Sequence, residues 1–265
     1  MSIIHPLAVV NPGAKLGENV EIGPFAFVDD NVVIGDGCHI MNGATVYNHV
    51  RMGNNCTVFP GAVVGAIPQD LKFEGEESWV EIGDRVNIRE CATINRGTKA
   101  SGKGVTHIGS DTLIMSYAHI AHDCNIGNHC IIVSYVGLAG ETDVEDWGIL
   151  GGKSGSHQFS RVGTHAFVAA AAKIMKDVPP YSLAGRDPIC FEGVNRTGLL
   201  RRGFTEEQVN EIKAIYDAIY FQGMNVSQAV EHIEANFPQT EIRDNILGFI
   251  RKSSRGIVPK PKPGR

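Results

Sequence analysis

The 265-residue chain is short of several things, and each shortage closes off a class of protein. No stretch approaches the roughly 20 apolar residues that cross a bilayer, so no integral membrane segment is expected. The opening Met1-Ser2-Ile3-Ile4-His5-Pro6 has neither a basic stretch nor a long apolar one, so it does not read as an export signal and a cytoplasmic location is expected. Positive charge is scarce: 24 Lys and Arg stand against 29 Asp and Glu, a net charge of −5, which disfavours nucleic acid as a partner. No two of the six cysteines are spaced as CxxC, so neither a cysteine zinc site nor a disulfide framework is expected. Aromatic residues make up only 7% while Gly numbers 31, which points to many tight corners rather than a bulky aromatic core.

What the chain has in abundance is a period of six. Stepping by six from Val10 meets Leu16, Ile22, Val28, Ile34, Ile40, Val46, Met52, Val58 and Val64. The phase breaks, resumes through Ile82, Ile88 and Ile94, breaks again, and runs from Ile108 to Ile174. Of these 25 positions only Ser156 is not aliphatic or Met, so chance is excluded. Four residues after each aliphatic stands a small one, such as Ala26, Cys38, Cys56, Cys124 or Cys130, and Gly often follows the aliphatic directly. One inward aliphatic per six residues suits a short strand, and one small residue suits a crowded interior corner. Gly or Asn is expected to supply the positive φ of the corner. Each turn must stack on its neighbours to bury its aliphatic, at a spacing of about 4.8 Å. The pattern resembles the hexapeptide β-helix of acyltransferases. That resemblance implies three hexads per triangular coil and a left-handed wind, against the usual right-handed preference of parallel crossovers.

The predicted fold is therefore mainly β: a left-handed parallel β-helix over residues 1–189, with a small α-helical domain over 190–265. Two insertions leave the period, at about 66–78 and 99–107, and insertions in a solenoid gather on its binding face. After Pro179-Pro180 helical patterns begin. Thr205-Glu206-Glu207-Gln208 is a capping box opening a helix through Ile219, and two more helices are predicted over Asn225–Ala235 and Thr240–Phe249. The Pro/Lys-rich tail from Ile257 to Arg265 is expected to be mobile. Residues 1–189 carry 13 Lys and Arg against 20 Asp and Glu, whereas 190–265 carry 11 against 9, so the basic excess lies at the C-terminal end.

Two motifs fail. Gly152-Lys153-Ser154 imitates the end of a phosphate-binding loop, but Trp147 stands where that loop needs Gly. His119-x-x-His122 could suggest a metal, yet two His three apart on a strand face different ways and no third ligand is evident; no metal is expected. A more promising pattern comes from stepping by 18, the length of three hexads. His122 then stacks under Gly140 and Gly140 under Gln158, while His119 stacks under Gly137 and Gly155. A His is a general base near neutral pH, and a bare Gly N–H beside it can serve an oxyanion, a pairing that suits acyl transfer.

The string Ala118-His119-Ile120-Ala121-His122-Asp123-Cys124 resembles the active-site stretch of the bacterial UDP-N-acetylglucosamine O-acyltransferases. So do Pro68-Gln69-Asp70-Leu71-Lys72-Phe73, Arg89-Glu90, Ile94-Asn95-Arg96-Gly97, His157-Gln158-Phe159, Asp177 to Tyr181 and Gly198 to Phe204. The resemblance spans nearly the whole chain. It implies transfer of a 3-hydroxyacyl chain from acyl carrier protein to the 3-hydroxyl of UDP-N-acetylglucosamine, the first step of lipid A synthesis, by a homotrimer with sites between neighbouring prisms. It implies His122 as general base, Asp123 as its orienting partner and Gly140 as oxyanion donor. Asp70, Lys72, His119, His157, Gln158, Asn195, Arg201 and Arg202 would bind the sugar nucleotide, the arginines suiting a diphosphate. No cofactor is implied, since the acyl donor rides on the phosphopantetheine of acyl carrier protein; Arg251, Lys252 and Arg255 are candidates for docking that acidic partner. Ala170 falls where the family gauges acyl length, and its small size predicts a long chain.

The chain departs from the family's pattern at Glu141, Thr197 and Lys173. A related N-acyltransferase acting on UDP-3-O-acylglucosamine carries a further N-terminal domain, for which hexads beginning at Val10 leave no place. A non-acyltransferase scaffold or metal hydratase would leave the Gln69-to-Lys72 and Arg201-to-Phe204 strings unexplained.

Overall fold

The computed structural model describes residues 2–261. Most strands are two residues long, an outward residue followed by the inward aliphatic: Glu21–Ile22, His119–Ile120, Asn125–Ile126. They stack into three parallel sheets, the faces of a triangular left-handed β-helix. The first face runs from Ile3–Ile4 to Phe167–Val168, the second from Val9–Val10 to Lys173–Ile174, and the third from Lys15–Leu16 to Arg161–Val162. Register is constant at 18 residues, as in Ile3 opposite Glu21 and Asn125 opposite Asp143. It jumps to 30 between Thr57 and Asn87 and to 26 between Thr93 and His119, so the two interruptions add 12 and 8 residues to their coils. The aliphatic column from Ile22 to Ile174 fills the interior with Ser156 as its one lapse, and Cys38, Cys56, Cys124 and Cys130 are buried as small core residues.

One expectation about the corners is corrected. The glycines that follow the aliphatic, such as Gly17, Gly109 and Gly127, do not carry the positive φ. They are needed because a Cβ would lie 2.5–2.8 Å from backbone atoms of the next coil. The left-handed residue comes two positions later, and side chains occupy it routinely: Asn19, Asp111, Asp123, His129, Glu141, Trp147 and His165 all have φ between 52° and 63°. Each costs about 1–2 kcal/mol in isolation. The stacked backbone offsets this, for example through Trp147 N–H donating to Asn128 O at 2.9 Å and Glu141 N–H to His122 O at 3.0 Å.

Beyond the last coil, Ser182–Gly185 extends the first face and Cys190–Val194 pairs with it antiparallel, so the division drawn at 189/190 falls at the turn of this hairpin. Four helices follow: α1 (Arg196–Arg201), α2 (Glu206–Phe221), α3 (Val226–Asn236) and α4 (Glu241–Arg251). Thr205 closes the capping box on α2 that the sequence signals, and Asn225 closes another on α3. The six-residue α1 is too short to show a period and was not expected. The tail also differs from expectation in its first part. Ile257 and Val258 are buried, Ile257 bridges to Asp177, and Phe191 N–H donates to Pro259 O at 2.8 Å. Lys262–Arg265 lie outside the described residues.

Candidate active site

The edge between the second and third faces carries residues 121–124, 139–142 and 157–160 in successive coils, so His122, Gly140 and Gln158 stack as the 18-residue step requires. Backbone bonds fix the column: Glu141 N–H donates to His122 O and Phe159 N–H to Gly140 O at 3.2 Å. Gly140 lies against the edge of the imidazole. A Cβ there would stand 2.5 Å from both Cε1 and Nε2 of His122, so only glycine admits the ring. Among the described residues the Gly140 N–H has no acceptor. Beside it, Ala139 N–H turns to the Ser156 hydroxyl at 3.0 Å instead of the carbonyl used in the coil below, where Ala121 N–H donates to Leu138 O. Ser156 is also 2.7 Å from the Thr142 hydroxyl. The single lapse in the aliphatic column is thus a polar bracket beneath the glycine.

His122 is 9% exposed, and its Nδ1 lies 2.8 Å from Asp123 Oδ2. Asp123 is fully buried and accepts from the Thr98 hydroxyl at 2.7 Å and from Thr98 N–H at 3.0 Å. A buried carboxylate with these donors takes the proton of Nδ1 as a hydrogen bond, which leaves Nε2 as the basic nitrogen, facing Gly140. On the open side Asp70 Oδ2 stands 3.6 Å from Nε2, delivered by the first insertion; its Oδ1 accepts Lys72 N–H at 3.0 Å. The Lys72 side chain is exposed on the same loop.

On the second face His119 is stacked on Gly137, and Gly137 on Gly155. A Cβ on Gly137 would meet nothing within 4 Å, and one on Gly155 only the Gly137 carbonyl at 3.5 Å, so the two glycines leave a bare trough. Burial holds the His119 imidazole below its ordinary pKa, hence neutral, and its Nδ1 is 2.7 Å from the Thr93 hydroxyl. The trough runs along the prism axis between the His122 edge and the edge of Ala170, an exposed residue at the corner between the first and second faces. Lys173, next above Gly155, is drawn aside to Asp187 at 2.9 Å. Gln158 is half-buried, its carbonyl taking Arg255 Nη1 at 3.3 Å, and His157 is exposed.

Not all the expected site residues meet. Asn195, Arg201 and Arg202 gather at a different edge, between the third and first faces. Asn195 caps α1 by accepting Gly198 N–H at 3.2 Å and donates to His165 O at 2.9 Å. Arg201 is exposed at the end of α1. Arg202 lies 5.0 Å over Trp147 and 3.2 Å from His165 Nδ1. His129, Trp147 and His165 stack 4.1 and 5.8 Å apart, with Tyr181 a further 5.8 Å on. Burial first, and Arg202 next, push His165 down to about 4, so the neutral ring accepts from the guanidinium. Sequence reasoning missed Trp147 and His165 although the 18-residue step links them. It missed Thr98 because its partner Asp123 lies 25 residues on, off the 18-residue step. Among the described residues no group of three His, Cys, Asp or Glu could hold a metal ion.

Stacked hexads presenting a carboxylate-oriented His beside a bare Gly N–H define a hexapeptide-repeat transferase. Residues 31–66 and 106–140 match the bacterial transferase hexapeptide profile, and residues 177–258 match the second domain of UDP N-acetylglucosamine O-acyltransferase. The chain belongs to the UDP-N-acetylglucosamine O-acyltransferase family. It is 46% identical to the acyl-[acyl-carrier-protein]–UDP-N-acetylglucosamine O-acyltransferase of Xylella fastidiosa, over 97% of this chain and 98% of that one. It is 48% identical to the Anaeromyxobacter enzyme of that name, over 96% and 99%. The UDP-N-acetylglucosamine acyltransferase of Bacteroides fragilis superposes with a TM-score of 0.94 at 49% identity, covering 97% of this chain and 100% of that one.

Proposed function

We propose that the protein moves a 3-hydroxyacyl chain from acyl carrier protein to the 3-hydroxyl of UDP-N-acetylglucosamine, opening lipid A synthesis. The observation that carries this reading is the pair formed by His122 Nε2 and the unpartnered Gly140 N–H, side by side at the mouth of a glycine trough. His122 Nε2 takes the proton of the sugar hydroxyl as its oxygen attacks the thioester carbonyl. Asp123 stabilises the resulting imidazolium. The carbonyl oxygen gathers negative charge against the Gly140 N–H. The intermediate collapses by breaking the carbon–sulfur bond, and the phosphopantetheine thiolate receives the proton from His122. A positioned base is worth about 10²–10⁴-fold and an oxyanion donor about 10²–10³-fold, which is enough for an activated thioester. No step calls on a metal or bound cofactor.

Asp70, Lys72, His119, His157 and Gln158 surround this edge and would hold the sugar and nearby groups. Asn195, Arg201 and Arg202 lie on another edge of the same prism, so only a second prism can bring them to His122; a homotrimer with sites between subunits meets that need. The trough of Gly137 and Gly155 would take the acyl chain, with Ala170 at its far side as the length gauge. Lys252 is exposed and Arg255 reaches the Gln158 backbone, which sets the basic C-terminal surface beside the site as a dock for acyl carrier protein; Arg251 is engaged with Glu234. Among the described residues no helix is long and apolar enough to cross a membrane. Six unbridged cysteines suit a reducing compartment and support a cytoplasmic location.

The test is product formation by the purified protein. With 3-hydroxyacyl carrier protein and UDP-N-acetylglucosamine it is expected to give the 3-O-acyl sugar nucleotide. Acylation only of the amine of UDP-3-O-acylglucosamine, or no transfer, would overturn the assignment. Offered carriers of mixed length, the enzyme is expected to choose a long chain, and Ala170→Met to shift the choice to shorter ones. An unchanged profile would remove Ala170 as the gauge.

A further inference from the structure

One segment grips one of the carboxylates that flank His122 and the root of the loop that bears the other. Where the strand Thr93–Asn95 ends, Asn95 Nδ2 donates to Ile67 O at 3.0 Å and Arg96 N–H to Ala66 O at 2.9 Å, fixing the hinge from which the first insertion departs. That insertion carries Asp70 to His122 Nε2. The Arg96 guanidinium, 7% exposed, lies 5.9 Å from the Phe73 ring, and Phe73 N–H closes the turn back onto Asp70 O at 3.0 Å. One residue further on the segment reaches the other side of the imidazole. Gly97 packs so tightly against Asp123 that a Cβ would fall 2.7 Å from Oδ1. Thr98, 1% exposed, then grips the carboxylate with its hydroxyl and backbone N–H.

We propose that Asn95–Thr98 is a positioning brace for the transfer reaction, with Thr98 setting the Asp123–His122 pair and Asn95 setting the acceptor loop that bears Asp70. The inference rests on the reading of His122 and Asp123 as base and partner. A Thr hydroxyl donating to Oδ2, the oxygen that also faces Nδ1, decides how the carboxylate is turned towards the imidazole. Without it the carboxylate keeps its backbone donor but loses its fixed orientation, so the barrier rises while substrate binding does not change. Asn95 acts at the other end. Among the described residues it hydrogen-bonds to neither His122 nor Asp123, so its loss loosens acceptor binding.

The experiment is a pair of double-mutant cycles read as separate kcat and KM values. Thr98→Val is expected to lower kcat about tenfold, the scale of other outer-shell partners, with KM for UDP-N-acetylglucosamine nearly unchanged. Thr98→Ser, which keeps the hydroxyl, should restore kcat. On an Asp123→Asn background Thr98→Val should have no further effect. Asn95→Ala is expected to raise KM for UDP-N-acetylglucosamine up to about tenfold, the equivalent of one hydrogen bond, with kcat largely kept, and to add nothing on an Asp70→Asn background. If Asn95→Ala does not fold, Phe73→Leu probes the same loop. The proposal is overturned if Thr98→Val keeps full kcat, if its loss persists undiminished without Asp123, or if both variants move kcat and KM together as a loosened fold would. Full activity of Asp123→Asn alone would instead mark the assignment of the base pair as the failure.

Discussion

Two edges of the same prism use one backbone to opposite ends. At the aromatic edge the corner positions are filled: His129, Trp147 and His165 stack ring on ring, and Arg202 lies over Trp147 and against His165 Nδ1. At the site edge the equivalent left-handed positions carry Asp123, Glu141 and Phe159, and space is opened beside them instead. Gly140 leaves room for the His122 ring and nothing else, and Gly137 and Gly155 leave a trough beside it. The filled edge holds a charged side chain half out of water, and the opened edge sets the His122 ring beside the Gly140 N–H. The repeat supplies identical spacing to both, and under the proposed function side-chain volume at a few positions sets which edge binds and which reacts.

Filling the opened edge is the sharpest way to break this contrast. Gly140→Ala places a methyl on His122 and is expected to cost about 10²–10³-fold in kcat with the melting temperature nearly unchanged, because φ there is not left-handed and the clash is with the ring alone. A variant that keeps its kcat would show that the close approach is incidental. Emptying the filled edge should act on binding instead. Trp147→Ala is expected to raise KM for UDP-N-acetylglucosamine about tenfold, from the loss of a desolvated cation–π contact of up to about 2 kcal/mol, with kcat kept and Trp147→Phe largely restoring KM. Equal losses in kcat would contradict the division between the edges.

The smallest effect concerns pH. The folded His165 titrates at about 4, below its ordinary range, so the folded state binds fewer protons than the unfolded one between those values. Its neutral-ring contribution to stability is present above the ordinary His range and is lost as the pH falls towards 4. Melting temperatures taken from about pH 7 down to about pH 5 should fall less steeply in His165→Gln than in the parent. Identical slopes would mean that the ring is not held neutral by its neighbours.

The same contrast explains what could be read in advance. The coils, the column of His122, Gly140 and Gln158, and the capped helices were legible because a fixed period turns sequence separation into spatial adjacency. Ser156 was visible as a lapse, but its bond to Ala139 N–H was not, since periodicity carries no information about hydroxyl direction. Thr98 and Asn95 escaped because their partners, Asp123 and Ile67, lie 25 and 28 residues away in sequence, separations that no multiple of the period links. Glycine and asparagine do supply the left-handed φ at some corners, as at Gly37, Gly43, Asn31 and Asn55, but the glycines directly after the aliphatic serve another end. Composition alone does not separate a left-handed φ from a close approach of neighbouring coils, and in this prism the second reason dominates. That Arg202 and His122 sit on different edges follows from topology, which a family resemblance by itself does not display.

The most direct test of the account is the turnover of His122→Ala with 3-hydroxyacyl carrier protein and UDP-N-acetylglucosamine, measured beside its melting temperature and oligomeric state. The expected result is a loss of about 10²–10⁴-fold in kcat with the fold and assembly intact. Turnover near that of the parent protein would contradict His122 as the base, and with it the reading of the site edge as the place where the chemistry occurs.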